Sequence, residues 1–193
     1  VKCPKDKNSE MVEAILSGGL YVMHCPVTRG NWIPRIEYDA WLASQWLEPL
    51  NLLEIVQRLR TIYFQPPDED TKAALCPETG HLLVRAKVQT PIPFYIERAG
   101  QGGGIWLDYG EWEVLEALGL HTHIDELFSW EWQAAIRQAQ LIDRQRQAII
   151  DKLGPSLALQ VFELAEALKE DPNGDFGVAY LMQQFDRVSA RVN

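Results

Sequence analysis

The sequence predicts an α+β fold made of two β-hairpin modules, each followed by short helices, and a C-terminal helical region. Two observations carry this expectation. Residues 3–41 match residues 76–115: Cys3-Pro4 stands against Cys76-Pro77, Gly30-Asn31-Trp32-Ile33 against Gly104-Ile105-Trp106-Leu107, and Glu37-Tyr38-Asp39 against Glu111-Trp112-Glu113. One inserted residue reconciles the two copies, so a single small module is used twice. From residue 121 onward, apolar residues recur at helical rather than strand spacing. The expected organisation is a first module with its helices over 1–64, a linker over 65–72, a second module over 73–120 and helices over 121–193.

Each element has a local reason. In both copies a Cys-Pro turn leads into a strand, over 11–15 or 82–88, and a second strand follows over 20–24 or 94–97. Gly18-Gly19 and Pro91-Ile92-Pro93 sit where the strands must reverse, and a glycine-rich turn, a Trp and a short helix come next. Two helices are expected over 36–47 and 51–64, divided by Pro49. Asn51 with Glu54 forms a capping-box pattern ahead of the stripe Leu52, Leu53, Val56 and Leu59. The polar run Gln65-Pro66-Pro67-Asp68-Glu69-Asp70 separates the copies. After the second copy a helix is expected over 110–118, and a long one from 122–125 to about residue 153, where Gly154-Pro155 stops it. Its stripe is Ile124, Leu127, Phe128, Trp132, Ala135, Ala139, Ile142, Ile149 and Leu153. Helices over 156–170 and 175–191 follow, divided by Asp171-Pro172-Asn173-Gly174, with Leu157, Val161, Leu164, Ala165 and Leu168 packing back as a hairpin.

Composition narrows the function. The chain has 193 residues, 47% of them hydrophobic, which is the share of a folded globular protein. Its net charge is -9, and each stretch is separately acidic: ten acidic against seven basic residues over 1–70, six against four over 71–120, and eleven against seven over 121–193. Nucleic-acid binding rests on a basic surface that releases phosphate counterions, so nucleic acid is disfavoured as a partner and a basic protein patch is favoured. No apolar run approaches the roughly 18 residues of a spanning helix. The start VKCPKDKNSE lacks the apolar stretch of a secretory signal, so the expected location is cytoplasmic, with no membrane. Three cysteines, an odd number, fit reduced thiols better than a disulfide framework.

The pattern Cys-Pro-x-x-Gly, some twenty residues, then a second knuckle running into Gly104-Ile105-Trp106-Leu107-Asp108-Tyr109-Gly110-Glu111 resembles the TFIIB-type zinc ribbons of small bacterial proteins. The resemblance is sharpest in the second copy. It implies two ribbons whose eight zinc-ligand positions fall at Cys3, Asp6, Cys25 and Thr28, and at Cys76, Thr79, Ala99 and Gly102. Three of these are thiols. The second copy is therefore expected to bind no zinc, since Ala99 and Gly102 offer no side-chain donor. In the first copy, Cys3, Asp6, His24 and Cys25 are the ligands if any metal binds, but adjacent strand residues His24 and Cys25 point to opposite faces. Structural zinc contributes on the order of 10–16 kcal/mol in small fingers. Apolar packing is the expected substitute, from Trp32, Tyr38, Trp41 and Trp46 in the first copy and Phe94, Trp106 and Trp112 in the second.

No Ser-His-Asp arrangement or phosphate-loop lysine motif can be read, so neither catalysis nor a cofactor is expected. Gln101-Gly102-Gly103-Gly104 reads as the turn of a knuckle rather than a phosphate cradle. His121 and His123 read as polar residues at a helix start, and Asp108 and Glu111 as the opening of the helix behind them. Trp130, Phe128 and Trp112 are the candidates for a docking surface, Trp130 because it falls off the main stripe of its helix. The resulting expectation is a non-enzymatic adaptor or assembly factor that binds another protein through degenerate, metal-free ribbons. The alternatives are a transcription-related nucleic-acid-binding regulator and a thiol switch through Cys3 and Cys25.

Overall fold

The computed structural model describes residues 1–100 and 103–189, and its fold is α+β. A six-stranded antiparallel sheet runs through β1 (Val12–Leu16), β2 (Leu20–His24), β3 (Asn31–Ile33), β4 (Val84–Val88), β5 (Phe94–Arg98) and β6 (Ile105–Leu107), in the spatial order β1-β2-β3-β6-β5-β4. The helices are α1 (Arg35–Leu42), α2 (Leu52–Thr61), α3 (Glu111–Leu118), α4 (Ile124–Leu127), α5 (Trp130–Leu153), α6 (Pro155–Glu170) and α7 (Gly174–Ser189). None of the described helices is long and apolar enough to cross a membrane.

Both halves of the sheet have the order strand, strand, strand, helix, and they join through their third strands. In that join Asn31 pairs with Leu107, Trp32 with Trp106 and Ile33 with Ile105. The sequence reading places no strand at 31–33 or 105–107, only a Trp between a glycine-rich turn and a helix, because three residues are too few to show an alternating pattern. Period-two alternation instead gives the centre of the sheet two covered faces. Ile33, Ile105 and Leu107 belong to the larger cluster, with Tyr38, Trp41, Trp112 and Leu115 from the helices. Trp32 and Trp106 belong to a second cluster that holds Cys3, Cys25 and Cys76.

The Gly-x-Trp pattern common to both copies has a reciprocal cause. A Cβ on Gly30 would lie 2.3 Å from Cζ2 of Trp106, and one on Gly104 would lie 2.3 Å from Cζ2 of Trp32. Each tryptophan therefore lies on the glycine of the opposite copy, and only glycine leaves room for it. Each buried Trp withdraws roughly 200 Å² from water, on the order of 5 kcal/mol at about 25 cal/mol per Å².

The chain divides into two compact units, Val1–Gln140 and Leu141–Asn193, and the division falls inside α5. The boundary expected at 120/121 lies within the first unit. Gln133 Nε2 donates to the carbonyls of Lys87 (3.0 Å) and Leu127 (2.9 Å), and Gln140 Nε2 to that of Gln89 (3.1 Å), tying the first half of α5 to the end of β4. The single helix expected from 122–125 to 153 is broken at Phe128-Ser129, because Ser129 Oγ accepts from the amide of Trp132 (3.1 Å) and starts a new helix. Asn51 caps α2 as expected, accepting from the amides of Leu53 (3.1 Å) and Glu54 (3.3 Å). Trp46, expected in the core, is 87% exposed. The reason is that α1 ends at Leu42, which leaves Trp46 in irregular chain ahead of Pro49.

Candidate functional site

Four tight turns mark the positions where ribbon ligands were expected. The amide of Cys25 donates to the carbonyl of Gly30 (2.9 Å), that of Cys76 to His81 (2.7 Å) and that of Ala99 to Gly104 (2.9 Å); Cys3 reaches one residue further, to Ser9 (3.0 Å). Arg29 and Gly80 stand at equivalent places, four residues past Cys25 and Cys76, and both take left-handed backbone at φ 61° and 72°. Arg29 covers the Tyr109 ring at 3.6 Å. Three of the four positions thus share one hydrogen-bonding pattern, whether Cys or Ala stands at the ligand position.

The donors do not make a tetrahedral zinc site. Cys3, Cys25 and Thr28 gather: the Thr28 amide donates to Cys25 Sγ (3.4 Å), and Thr28 Oγ1 lies 3.6 Å from Cys3 Sγ. Asp6 turns away and accepts from Ser9 Oγ (2.5 Å) and the Asn8 amide (3.1 Å). His24 Nδ1 is engaged with Asn31 Oδ1 at 2.9 Å. In the second copy Thr79 Oγ1 accepts from the amide of His81 (3.4 Å), Ala99 carries no donor and Gly102 lies outside the described residues, as do Gln101 and the first part of its glycine run. Two thiols and a hydroxyl fall short of the four ligands zinc takes in structural sites. All three cysteines are buried and free. Burial pushes the Cys3 thiol up, whereas the Thr28 hydroxyl and amide, with the Cys3 thiol, outweigh burial at Cys25 and lower it.

The strongest electrostatic feature was missed by the sequence reading. The Lys5 ammonium, wholly buried, lies 2.8 Å from Glu97 Oε1 and 2.5 Å from Asp108 Oδ2, with side-chain exposures of 0% and 1% on the acids. Arg85 adds contacts to Asp70 Oδ1 (3.2 Å) and Glu97 Oε1 (3.4 Å). Asp108 also accepts from the indole of Trp106 (2.8 Å), and Glu111 Oε2 accepts from the amide of Asp108 (2.8 Å). Lys5, from the first copy, is thereby clamped by acids of the second.

Burial pushes the Glu97 carboxyl up to about 7 against the pull of Lys5. Burial, reinforced by Asp108, raises Glu111 well above the ordinary carboxyl range, and Glu111 Oε1 has no hydrogen-bond partner. Burial opposes the charge on Lys5, but Asp108 and Glu97 overcome it and hold the ammonium above its ordinary value. Oxygens of Asp70, Asp108 and Glu111 lie within 4.8 Å of one another. An acidic trio of this kind would suit a hard cation, but both Asp108 oxygens are already engaged, Oδ2 by the Lys5 ammonium and Oδ1 by the Trp106 indole. The trio reads as an internal salt network. Lys5 and Glu97 left one trace in the sequence: each is a charge set beside residues that the repeat marks as buried.

The expected docking residues separate. Trp112 is 1% exposed and belongs to the core: its indole donates to Ser17 Oγ (2.6 Å) and its ring meets Trp41 edge-on at 5.6 Å. Phe128 is half-buried under the Arg98 guanidinium, 4.2 Å from its ring centre. Trp130 is 75% exposed. His121, read as a polar helix-start residue, is a half-buried ring packed on the edge of the core, 5.8 Å from Trp41 and 5.7 Å from Trp112, with burial lowering its pKa. His123 meets Glu126 Oε1 at 3.0 Å and the Glu48 carbonyl at 3.1 Å.

In the second unit the apolar stripe of α6 does pair with α7, yet it leaves a groove open. A cavity of about 750 Å³ lies between Val161, Leu164, Ala165 and Leu168 on α6 and Val178, Leu181, Met182 and Phe185 on α7. Of the hydrophobic side chains described in this unit, Ala158 alone is buried. No protein family, curated protein or solved structure matches the chain.

Proposed function

We propose that the protein is a non-enzymatic assembly or adaptor factor, with a pair of zinc-ribbon-like halves as scaffold and the helices beyond Gln140 as the binding arm. One observation carries the reading: among the described residues of the helical unit Ala158 is the one buried hydrophobic side chain, and a helix pair hides its apolar stripe only against further elements. A partner protein supplies the missing surface. The shared turn pattern and the reciprocal Gly–Trp contacts support the ribbon-like description, and the pairing of the buried Lys5 ammonium with both Glu97 and Asp108 supports a stabilising rather than a catalytic use of its charge.

The test compares wild type with a Leu164→Asn/Met182→Asn variant as baits in extract of the source cells, with melting temperature as the folding control. A stoichiometric partner held by the wild type and released by the variant is expected. The same set of proteins on both baits would overturn the proposal. A second reading, the thiol switch, has the proximity of Cys3 and Cys25 in its favour. It predicts that oxidised glutathione removes two hydrogens from the wild type but not from Cys25→Ser, read by intact mass.

A further inference from the structure

We infer that the groove between α6 and α7 takes a single amphipathic helix of the partner, basic along its flanks, an assignment that rests on the binding-arm reading above. Three features choose this occupant. First, each wall repeats the spacing i, i+3, i+4, i+7, from Val161 to Leu168 and from Val178 to Phe185, so the walls are two parallel ridges of two turns each. A third helix lays its own ridge between two such ridges and anchors three or four side chains over about 10 Å.

Second, the wall residues keep large exposed areas, 45% for Leu164 and 63% for Met182, although they stand at core-type spacing. The middle of each row, at Leu164 and Met182, is therefore open to a third element, while Leu168 packs against Gly174 and Gly177.

Third, the α6–α7 pair is net acidic, although the groove wall itself carries Lys169 beside Asp175 and Arg146 of α5 lies over the Phe162 ring. Over residues 155–185 there are five acidic residues, Glu163, Glu166, Glu170, Asp171 and Asp175, against the single Lys169. That lysine is held by Glu166 at 2.8 Å. A second copy in the groove would set this acidic surface against itself at the 8–10 Å typical of packed helices. A helix with lysine or arginine beside its apolar stripe places opposite charge there instead, which speeds encounter and disfavours other partners. Charge thus decides between the two occupants that the apolar shape alone would accept.

The experiment uses the full chain and three labelled peptides of about 18 residues, or five turns. One has leucine at i, i+3, i+4 and i+7 with lysine elsewhere, the second replaces lysine by glutamate, and the third scrambles the first. Fluorescence anisotropy should show the leucine–lysine helix bound about tenfold more tightly than either control. The advantage over the glutamate helix should shrink as salt rises, and Leu164→Asn/Met182→Asn should lose the binding about tenfold while Trp130→Ala keeps it.

Equal binding of the lysine and glutamate helices would overturn the partner's charge and leave the binding arm standing. Equal binding of the scrambled peptide, or no binding of any peptide, would overturn the helix-in-groove assignment, and the bait comparison then judges the binding arm separately. Sedimentation that shows self-association abolished by Leu164→Asn/Met182→Asn would give the groove to a second copy and overturn the inference.

Discussion

Among the described residues, 1–140 hold 31 buried hydrophobic side chains and the second unit holds one, Ala158, although both units are rich in leucine and aromatic residues. The difference lies in what each apolar residue meets. In the first unit the sheet offers two faces, and each is covered by chain that the sequence itself supplies: helices on one side, the cysteine-bearing turns on the other. In the second unit, apolar rows at equally good helical spacing stay open. Hydrophobic periodicity therefore identifies a surface that must be covered without saying by which molecule.

The sharpest way to break this comparison is to cut matching side chains in the two units. Trp106→Ala removes a ring that fills the space above Gly30, and it should cost about 3–5 kcal/mol by denaturant unfolding. Met182→Ala should stay within about 0.5 kcal/mol in the isolated protein, as exposed positions do. Comparable losses at both sites would mean that the second unit carries a core of its own.

Lys5→Met comes next. It strands Glu97 and Asp108 without their ammonium, and removing one partner of a buried pair costs about 3–5 kcal/mol. The loss should fall when Glu97→Gln is added, since the pair then leaves together, and a double-mutant cycle on melting temperature reads the coupling.

The smallest effect is on pH. Glu97 is raised from 4.5 to about 7, and Glu111 is raised too, so the folded chain binds more protons than the unfolded chain above pH 4.5. Stability present below that value is lost as pH rises through about 7, the opposite of a carboxylate whose pKa is depressed by its partners. Melting temperature should fall by several degrees between about pH 5 and pH 8. Glu111→Gln should flatten that slope and raise the melting temperature at the alkaline end. A rising curve would show that Lys5 and Arg85 outweigh desolvation.

What could be read in advance follows from how local its cause is. The hairpins, the Asn51 cap and the helix stop at Gly154-Pro155 depend on residues a few positions apart, and all were legible. The strands at 31–33 and 105–107 were not, because three residues are too few to show an alternating pattern and one of the two strands each pairs with lies some 74 residues away. Trp112 was read both as a core ring and as a docking candidate, and what decides for the core, its contacts with Trp41 and Ser17, lies far back in the chain. Lys5 was passed over because a lysine in a polar start looks solvated until the acids of the opposite copy are in view. In the helical region the stripe was read as packing back in a hairpin, and α6 and α7 do pair; how much of it stays open was not legible, since the spacing is the same in either case.

The interlocked tryptophans also bear on synthesis. A nascent chain presents Trp32 and the bare edge of β3 well before Ile105–Leu107 has emerged from the ribosome, so the first half waits in an unfinished state for its counterpart. The polar, proline-bearing stretch between the halves suits that interval, because it adds distance without adding a strand that the waiting edge would capture.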